Sequence, residues 1–350
     1  MSLRKLNSLI MAAALFLAAV SCKDDDDSTT LPSLSGLVYD CPSFVVPGAK
    51  VTMTPRGVRH PEGNGVGIYW KVVPGMSKPD TTMLENGLTP DGKDTDGSFN
   101  YQFSDSLGTY TVTCYAFAQG YSGDTYQKYV TVVEGGLDKS VTRVGILKDD
   151  AKESYDGIDY YYEEIDGLQW FRKNLASEAC GVGYEGYDVM SDVFGRYYSY
   201  EEALAACPQG WRLPAEDEWL SMCAAIGAED AGKYGTVKNV ASKLFVNAAF
   251  NEENMLEYWP QVGEITNESR LSFLPVGYSN LGDRNADGGY PYAAFDGLYE
   301  YAAFWTADKV DGEEGMAYYR YLVADQPDFF VGKGDVKSFG ASVRCVRDAE

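Results

Sequence analysis

The sequence has 350 residues and is strongly acidic: 52 Asp and Glu against 29 Lys and Arg give a formal net charge of −23. This charge argues against nucleic acid and anionic membrane surfaces as partners. His60 is the only histidine, which excludes most histidine-based catalysis and most zinc sites. The hydrophobic content of 45% is sufficient for ordinary globular cores, and the length indicates two domains.

Residues 1–21 have the layout of a secretory signal peptide. Arg4 and Lys5 precede an apolar run over residues 9–20, which is too short for a membrane span, because a span needs about 20 apolar residues. Cys22 follows directly. This arrangement resembles a bacterial lipobox, in which the cysteine is acylated and becomes the mature N-terminus. We predict lipidation at Cys22; the alternative is a cleaved signal with an unmodified cysteine.

Four consecutive aspartates, Asp24–Asp27, follow the cysteine. Adjacent carboxylates repel one another, so residues 22–35 are predicted to be a solvated acidic linker and a poor metal site. The stretch "CKDDDDS" resembles the export signal that sends lipoproteins of Bacteroides-like bacteria to the outside of the outer membrane. We therefore predict an outer-membrane lipoprotein exposed on the cell surface; a plain acidic spacer is the alternative.

Residues 36–134 are predicted to form an all-β sandwich, immunoglobulin-like or PKD-like. Apolar and polar residues alternate in "GIYWKVV" (67–73) and "GTYTVTCYAFA" (108–118), as in strands with one buried face. The central Trp70 and the late-strand Tyr110 resemble those of immunoglobulin-like modules. Such a module is expected to act as a spacer that holds the next domain away from the membrane.

The cysteine count suggests disulfides, because six remain if Cys22 carries lipid, and an even number in an exported chain indicates bridges. Cys114 lies on the inward face of its predicted strand. A bridge from Cys114 to Cys41 is one interpretation, and two buried free thiols are the other. No cysteines have the spacing of a zinc knuckle.

Residues 135–154 are predicted to be a linker, and a more specific block follows in "GRYYSYEEALAACPQGWRLPAEDEWL" (195–220). Residues 201–207 have helical spacing, and Pro214 lies where a second helix starts. The acidic residues Glu216–Glu218 fall in the first turn of this helix, where the helix dipole favours carboxylates. They therefore need no catalytic explanation.

Several blocks of the C-terminal half occur in the order of a known family. They are "DGLQWFRKNLA" (166–176), the block 195–220, "LPVGY" (274–278), "FWTAD" (304–308), "YYRYL" (318–322) and "ASVRCVRD" (341–348). They resemble the Fibrobacter succinogenes major paralogous domain, found in surface lipoproteins. The resemblance implies a C-type-lectin-like α+β fold for residues 155–350, related to the formylglycine-generating enzymes.

The resemblance also implies a Cys207–Cys345 disulfide, the bridge that closes a C-type lectin domain. Cys180 and Cys223 are left over; they form a second bridge, or Cys223 is a buried free thiol. Formylglycine-generating enzymes need a cysteine pair near the C-terminus. Cys345 is similar to one member, but Gly340 stands near the place of the other. We therefore predict that the chain is not an enzyme.

The resemblance implies that ligands bind in the long loop region, which contains residues 277–301. Asp283, Asn285 and Asp287 match the start of an oxygen-rich calcium loop, although Ala294 stands where a bidentate Glu is expected. The alternative is a pair of Asn/Asp/Gly turns. The aromatic residues of the region are either a sugar platform or the packing that keeps the loop ordered. They are Tyr290, Tyr292, Phe295, Tyr299 and Tyr301.

The sequence thus predicts a surface lipoprotein in which a spacer carries a lectin-like domain that binds a glycan or a surface protein. A groove lined by exposed aromatic rings with amide or carboxylate groups would favour a glycan. A broad, flat apolar patch would favour a protein partner and a structural role, such as that of an adhesin component.

Overall fold

The computed structural model describes residues 31–76, 97–133, 151–246, 249–250, 256–257 and 265–350. The predicted signal peptide, Cys22 and most of the predicted linkers lie outside these ranges, and the predicted domain boundaries stay predictions. None of the helices in the described ranges is long and apolar enough to cross a membrane. The structure is mostly β, with several sheets and a few short helices.

The N-terminal half contains eight strands within its described residues. They are β1 (Val38–Tyr39), β2 (Phe44–Val45), β3 (Lys50–Met53), β4 (Pro55–Arg56), β5 (Gly67–Pro74), β6 (Phe99–Gln102), β7 (Gly108–Phe117) and β8 (Asp124–Val132). Strands β2, β8, β7 and β5 form one sheet in this order, while β3 pairs with β6 and β1 pairs with β4. The all-β prediction for this half is confirmed, and the immunoglobulin-like assignment stays a prediction.

The core of this half lies on the face of β7 that the alternation predicted. Val112 and Cys114 are fully buried, and Trp70 on β5 lies opposite Cys114 in the antiparallel pair. Cys41 and Cys114 are both free thiols in the structure, so no bridge joins them. Burial raises the pKa of each thiol to about 12, and both therefore stay protonated at neutral pH.

The C-terminal half combines two larger sheets with short helices. Its strands are β9 (Lys152–Tyr155), β10 (Ile158–Ile165), β11 (Leu168–Phe171), β12 (Ala249–Phe250), β13 (Leu256–Glu257), β14 (Val276–Asn280), β15 (Ala294–Leu298), β16 (Tyr301–Lys309), β17 (Met316–Val323), β18 (Phe330–Asp335), β19 (Phe339–Gly340) and β20 (Val346–Asp348). Its helices are a 3₁₀ turn (Tyr184–Gly186), α1 (Ser191–Phe194), α2 (Tyr200–Ala206), α3 (Glu216–Ala225) and α4 (Ala241–Leu244). One sheet has the order β20-β11-β10-β9, and the other has the order β15-β14-β16-β17-β18, with β19 also paired to β14.

The two predicted helices of block 195–220 are present as α2 and α3. Ser199 caps α2 through a reciprocal pair of hydrogen bonds with Glu202. The first turn of α3 has a role beyond the helix dipole, however. Glu216 is fully buried and forms an ion pair with Arg320 of β17, which is also fully buried; Nε of Arg320 donates to Oε2 of Glu216 at 3.0 Å. Sequence reasoning missed this pair.

The last residues of the chain join the C-terminal half to its first strands and to the end of helix α2. Strand β20 pairs with β11, so the last strand lies beside one of the first. The predicted disulfide between Cys207 and Cys345 is confirmed. Cys180 and Cys223 are free thiols, and Cys223 is buried; the alternative of a second bridge is therefore wrong.

Glu185 connects the two halves of the molecule. Its carboxylate accepts hydrogen bonds from the backbone N–H and the hydroxyl of Ser43 (2.7 and 2.9 Å) and from Nζ of Lys128 (2.8 Å). Phe44 packs edge-on against Phe194, with ring centroids 5.5 Å apart. Glu185 adopts a left-handed φ of 55°, which non-glycine residues rarely hold unless surrounding contacts enforce it.

The disulfide is expected to be a major source of stability, because its two cysteines are 138 residues apart. Replacing both (Cys207→Ala with Cys345→Ala) should lower the free energy of unfolding by about 5 kcal/mol, since the unfolded chain regains the entropy of an open loop. Chemical denaturation measures this loss. Cys180→Ala, which removes a free thiol, is the matched control and should cost less than about 1 kcal/mol. Equal losses in the two variants would contradict the prediction.

Candidate functional site

The predicted calcium ligands lie in the loop between β14 and β15, and Asn285 forms a turn within this loop. Oδ1 of Asn285 accepts hydrogen bonds from the N–H groups of Asp287 (3.1 Å) and Gly289 (2.8 Å), as in an Asx turn. Asp283 and Asp287 are exposed. The described parts of the chain contain no cluster of three or more His, Cys, Asp or Glu that could hold a metal. Calcium at Asp283, Asn285 and Asp287 therefore stays a prediction.

A guanidinium group anchors this loop to helix α2. Arg284 forms an ion pair with Glu202 (2.5 Å) and donates from Nε to the carbonyl of Gly288 (2.8 Å). Its guanidinium also lies 5.3 Å from the ring centroid of Tyr290. Glu202 is almost fully buried and accepts a further hydrogen bond from the Tyr290 hydroxyl at 2.8 Å. The guanidinium of Arg284 thus supplies the positive charge that holds this loop against helix α2.

The three loop tyrosines predicted to contact ligand have different environments. Tyr290 is buried against Glu202, as described above. Tyr299 packs against the main core, where burial raises the pKa of its phenol. Tyr292 is 80% exposed. The packing interpretation therefore describes Tyr290 and Tyr299, and Tyr292 presents its ring to solvent.

A larger set of aromatic side chains lies on one face of the sheet that contains β14 to β18. On β17, Tyr319 and Tyr321 lie on this face, while Arg320 and Leu322 are buried on the other, as the alternation of a strand requires. Six partly exposed rings form a connected set, which we call the aromatic row. Its members are Tyr278, Tyr301, Tyr319, Tyr321, Phe330 and Phe339.

Three rings of the row form a column across adjacent strands. Tyr301 of β16 stacks on Tyr321 of β17, with centroids 4.9 Å apart and planes 19° apart. Tyr321 stacks in turn on Phe330 of β18, at 5.1 Å and 18°. Cross-strand aromatic pairs stabilise a sheet by about 0.2–1 kcal/mol each. These three rings therefore hold one another in place across the sheet.

Two further rings of the row occupy space that glycines leave free. Tyr319 and Gly332 are cross-strand partners, and a Cβ at Gly332 would come 2.5 Å from Cζ of Tyr319. A Cβ at Gly334 would likewise come 2.5 Å from Cδ1 of Phe339. Glycine inside a strand often marks such a close approach. These glycines allow the rings of Tyr319 and Phe339 to lie against the backbone of β18.

Hydroxyl and carboxylate groups accompany the rings. The hydroxyls of Tyr301 and Tyr319 are 3.5 Å apart, and the hydroxyl of Tyr278 donates to Oδ2 of Asp296 at 3.4 Å. Burial raises the pKa of Tyr301, Tyr319 and Tyr278, and the Asp296 charge raises that of Tyr278 further. These phenols therefore keep their protons through neutral and mildly alkaline pH, and they remain hydrogen-bond donors.

The comparisons with known proteins place the row inside a family domain. The model of the Fibrobacter succinogenes major domain matches residues 162–347, more than half of the chain. The chain belongs to this family. The matched range contains the disulfide, the Glu202–Arg284 pair and all six rings of the row. The C-type-lectin-like fold that the resemblance implied stays an expectation.

No curated protein matches the chain. Among solved structures, the adhesin InvE of Yersinia pseudotuberculosis matches with 10% sequence identity and a TM-score of 0.24. The match covers 90% of this chain and 71% of that chain. A TM-score this low does not establish a shared fold.

The aromatic row was not predicted from the sequence. Of its rings, only Tyr301 was included, as one of the aromatic residues of the region 277–301. A signal was present in the alternation of Tyr319 and Tyr321 with buried residues. A second signal was the spacing of Phe330, Gly332 and Gly334. In a strand, this spacing places the two glycines on the same face of the sheet as the aromatic residue. Neither signal shows which strands are neighbours.

Arg284→Met should loosen the β14–β15 loop, because it removes the ion pair to Glu202. We expect faster hydrogen exchange at the amides of residues 284–290. The loss of global stability should stay below about 1 kcal/mol, since Arg284 is half-exposed. Lys333→Met, which removes an exposed ion pair with Glu313, is the control and should not change exchange in the loop. Equal exchange in the two variants would exclude an anchoring role for Arg284.

Gly332→Ala should displace the ring of Tyr319 while the fold persists, because the atoms in the way belong to the far end of a side chain. We expect a change in the near-ultraviolet circular dichroism of tyrosine and a stability loss of about 1 kcal/mol or less. The control is Gly65→Ala, since no heavy atom lies within 4 Å of a Cβ at that position. An unchanged tyrosine signal in Gly332→Ala would contradict the described ring position.

Proposed function

We propose that this protein is a surface lipoprotein, anchored through Cys22, whose family domain binds a glycan at the aromatic row. The signal-like N-terminus and the acidic stretch after Cys22 support export and anchoring. The β-rich N-terminal half then serves as a spacer between the membrane and the family domain. The single observation that carries the binding proposal is the connected row of six partly exposed rings, three of which are stacked as a column.

The chemistry of the row fits a sugar. Aromatic rings offer apolar surface to the C–H faces of a sugar ring, and the neighbouring polar groups fix its orientation through hydrogen bonds. The hydroxyl of Tyr278 and the carboxylate of Asp296 are such groups. Because the rings already pack against one another, binding immobilises few side chains, which reduces the entropic cost of association.

A protein partner is the second candidate, and it fits the described surface less well. In the described part of the C-terminal half, three large hydrophobic side chains are strongly exposed: Tyr187, Leu204 and Tyr292. They belong to three different segments, namely the stretch after the 3₁₀ turn, helix α2 and the β14–β15 loop. Single exposed hydrophobic residues of this kind are common on soluble proteins. The ring-and-hydroxyl surface therefore favours a glycan over a broad protein interface.

The described thiols do not support a catalytic role. Cys345 is bonded to Cys207, and burial raises the pKa of Cys223 to about 12. Burial also raises the pKa of the partly exposed Cys180, and the Glu202 charge raises it further. Thiolate nucleophiles need a lowered pKa, so binding without chemistry is the function we propose.

A glycan-array screen of the mature chain tests the proposal. Cys22→Ser keeps the protein soluble, and the screen is run with calcium and with a chelator. We expect a glycan signal that persists in chelator, because calcium prefers carboxylate and carbonyl oxygens to aromatic rings and phenol hydroxyls. Tyr321→Ala should weaken that signal at least tenfold, whereas Tyr129→Ala, which removes a 40% exposed tyrosine of the N-terminal half, should not.

Two results would count against a site at the row. A signal that is lost in chelator and lost again in Asp283→Asn would move the site to the β14–β15 loop and support calcium there. No signal from folded protein across a broad array would instead favour the protein partner.

A further inference from the structure

We infer that the glycan bound at the aromatic row is an uncharged polysaccharide, and that sugars carrying carboxylate or sulfate groups are excluded. This inference rests on the proposed function and specifies the class of ligand. It is carried by the charged side chains around the row, which the rings and hydroxyls alone do not predict.

Three exposed carboxylates neighbour residues of the row, either across the sheet or along the chain. Asp296 is the cross-strand partner of Tyr278 and lies 3.4 Å from its hydroxyl. Glu300 directly precedes Tyr301 in the turn before β16, and Asp325 follows the end of β17. We call these three residues the acidic rim. An ionised carboxylate accepts hydrogen bonds and donates none, so the rim suits the hydroxyl groups of a neutral sugar.

The nearby basic side chains do not balance the rim. Lys333 alternates with Gly332 on β18 and therefore points to the opposite face, where it pairs with Glu313 at 2.5 Å. Arg320 is fully buried against Glu216. Lys337 is exposed in the turn after β18. Its backbone N–H donates to Oδ1 of Asp335 at 3.0 Å, so a carboxylate lies in the same turn.

The net charge of the whole chain acts in the same direction as the rim. At −23, it repels anions at long range, which slows their association. At short range, a sugar carboxylate beside the exposed Asp296 meets a like charge. Repulsion of this kind weakens binding by about tenfold for each close pair of charges. Neutral sugars avoid this penalty.

Affinity electrophoresis with matched polysaccharides tests the inference. Three pairs share a backbone and differ in charge: hydroxyethyl cellulose and carboxymethyl cellulose, dextran and dextran sulfate, and methyl-esterified and de-esterified pectin. We expect the neutral member of at least one pair to retard the mature chain. The anionic member of that pair should bind at least tenfold more weakly.

A triple variant separates the rim from the overall charge. Asp296→Asn with Glu300→Gln and Asp325→Asn should raise affinity for the anionic member at least tenfold, and 0.5 M NaCl should act in the same direction by screening. The control removes three exposed carboxylates of the N-terminal half: Asp40→Asn with Glu62→Gln and Asp105→Asn. This control should leave the discrimination in place.

The possible outcomes distinguish this inference from the proposed function. If the anionic member of a pair binds as tightly as the neutral one, the inference fails while glycan binding stands. If the control and the rim variant respond equally, the discrimination comes from overall charge and the rim has no local role. If no polysaccharide binds and the glycan array gives no signal, the proposed function fails and the inference fails with it.

Discussion

The family domain depends on Arg344, a fully buried guanidinium that several separate chain segments surround. Its N–H groups donate to the carbonyls of Phe171, Leu271 and Ser272 and to Oδ1 of Asn174, over 2.6–3.4 Å. Burial lowers its pKa well below the ordinary value, and a buried charge of this kind is tolerated only when its donors have acceptors. Because the next residue forms the disulfide to Cys207, this short segment fixes the two sheets and the helices relative to one another.

Strand β17 joins the buried core of the domain to the aromatic row, because its two faces carry residues of each. Arg320 on its buried face pairs with Glu216 of α3 and also donates to the carbonyl of Gly235 at 2.8 Å. Removing one partner of such a pair would leave an uncompensated charge in the core, at a cost of about 3–5 kcal/mol. The opposite face of the same strand carries Tyr319 and Tyr321. These two rings of the row therefore lie on a strand whose other face is fixed by a buried ion pair.

The β14–β15 loop and the sheet surface differ in what they can offer a ligand. In the loop, Arg284, Glu202 and Tyr290 already satisfy one another, so much of its polar chemistry serves to hold the loop in place. In the row, the rings contact one another, and their outer surfaces remain partly exposed. The glycan proposal therefore places the ligand on the rigid sheet with its partly exposed rings, and not on a loop whose polar groups are paired.

The sequence by itself determined the acidic character, the alternation of the strands and the starts of α2 and α3, because each depends on residues close together in the chain. The Cys207–Cys345 bridge followed from family resemblance. Only the tertiary structure decided that Glu216 meets Arg320, 104 residues away, and that rings from five strands form one row. Local patterns fix the face on which a side chain lies. They do not fix which strand lies beside it, because strand pairing is set by contacts across the whole domain.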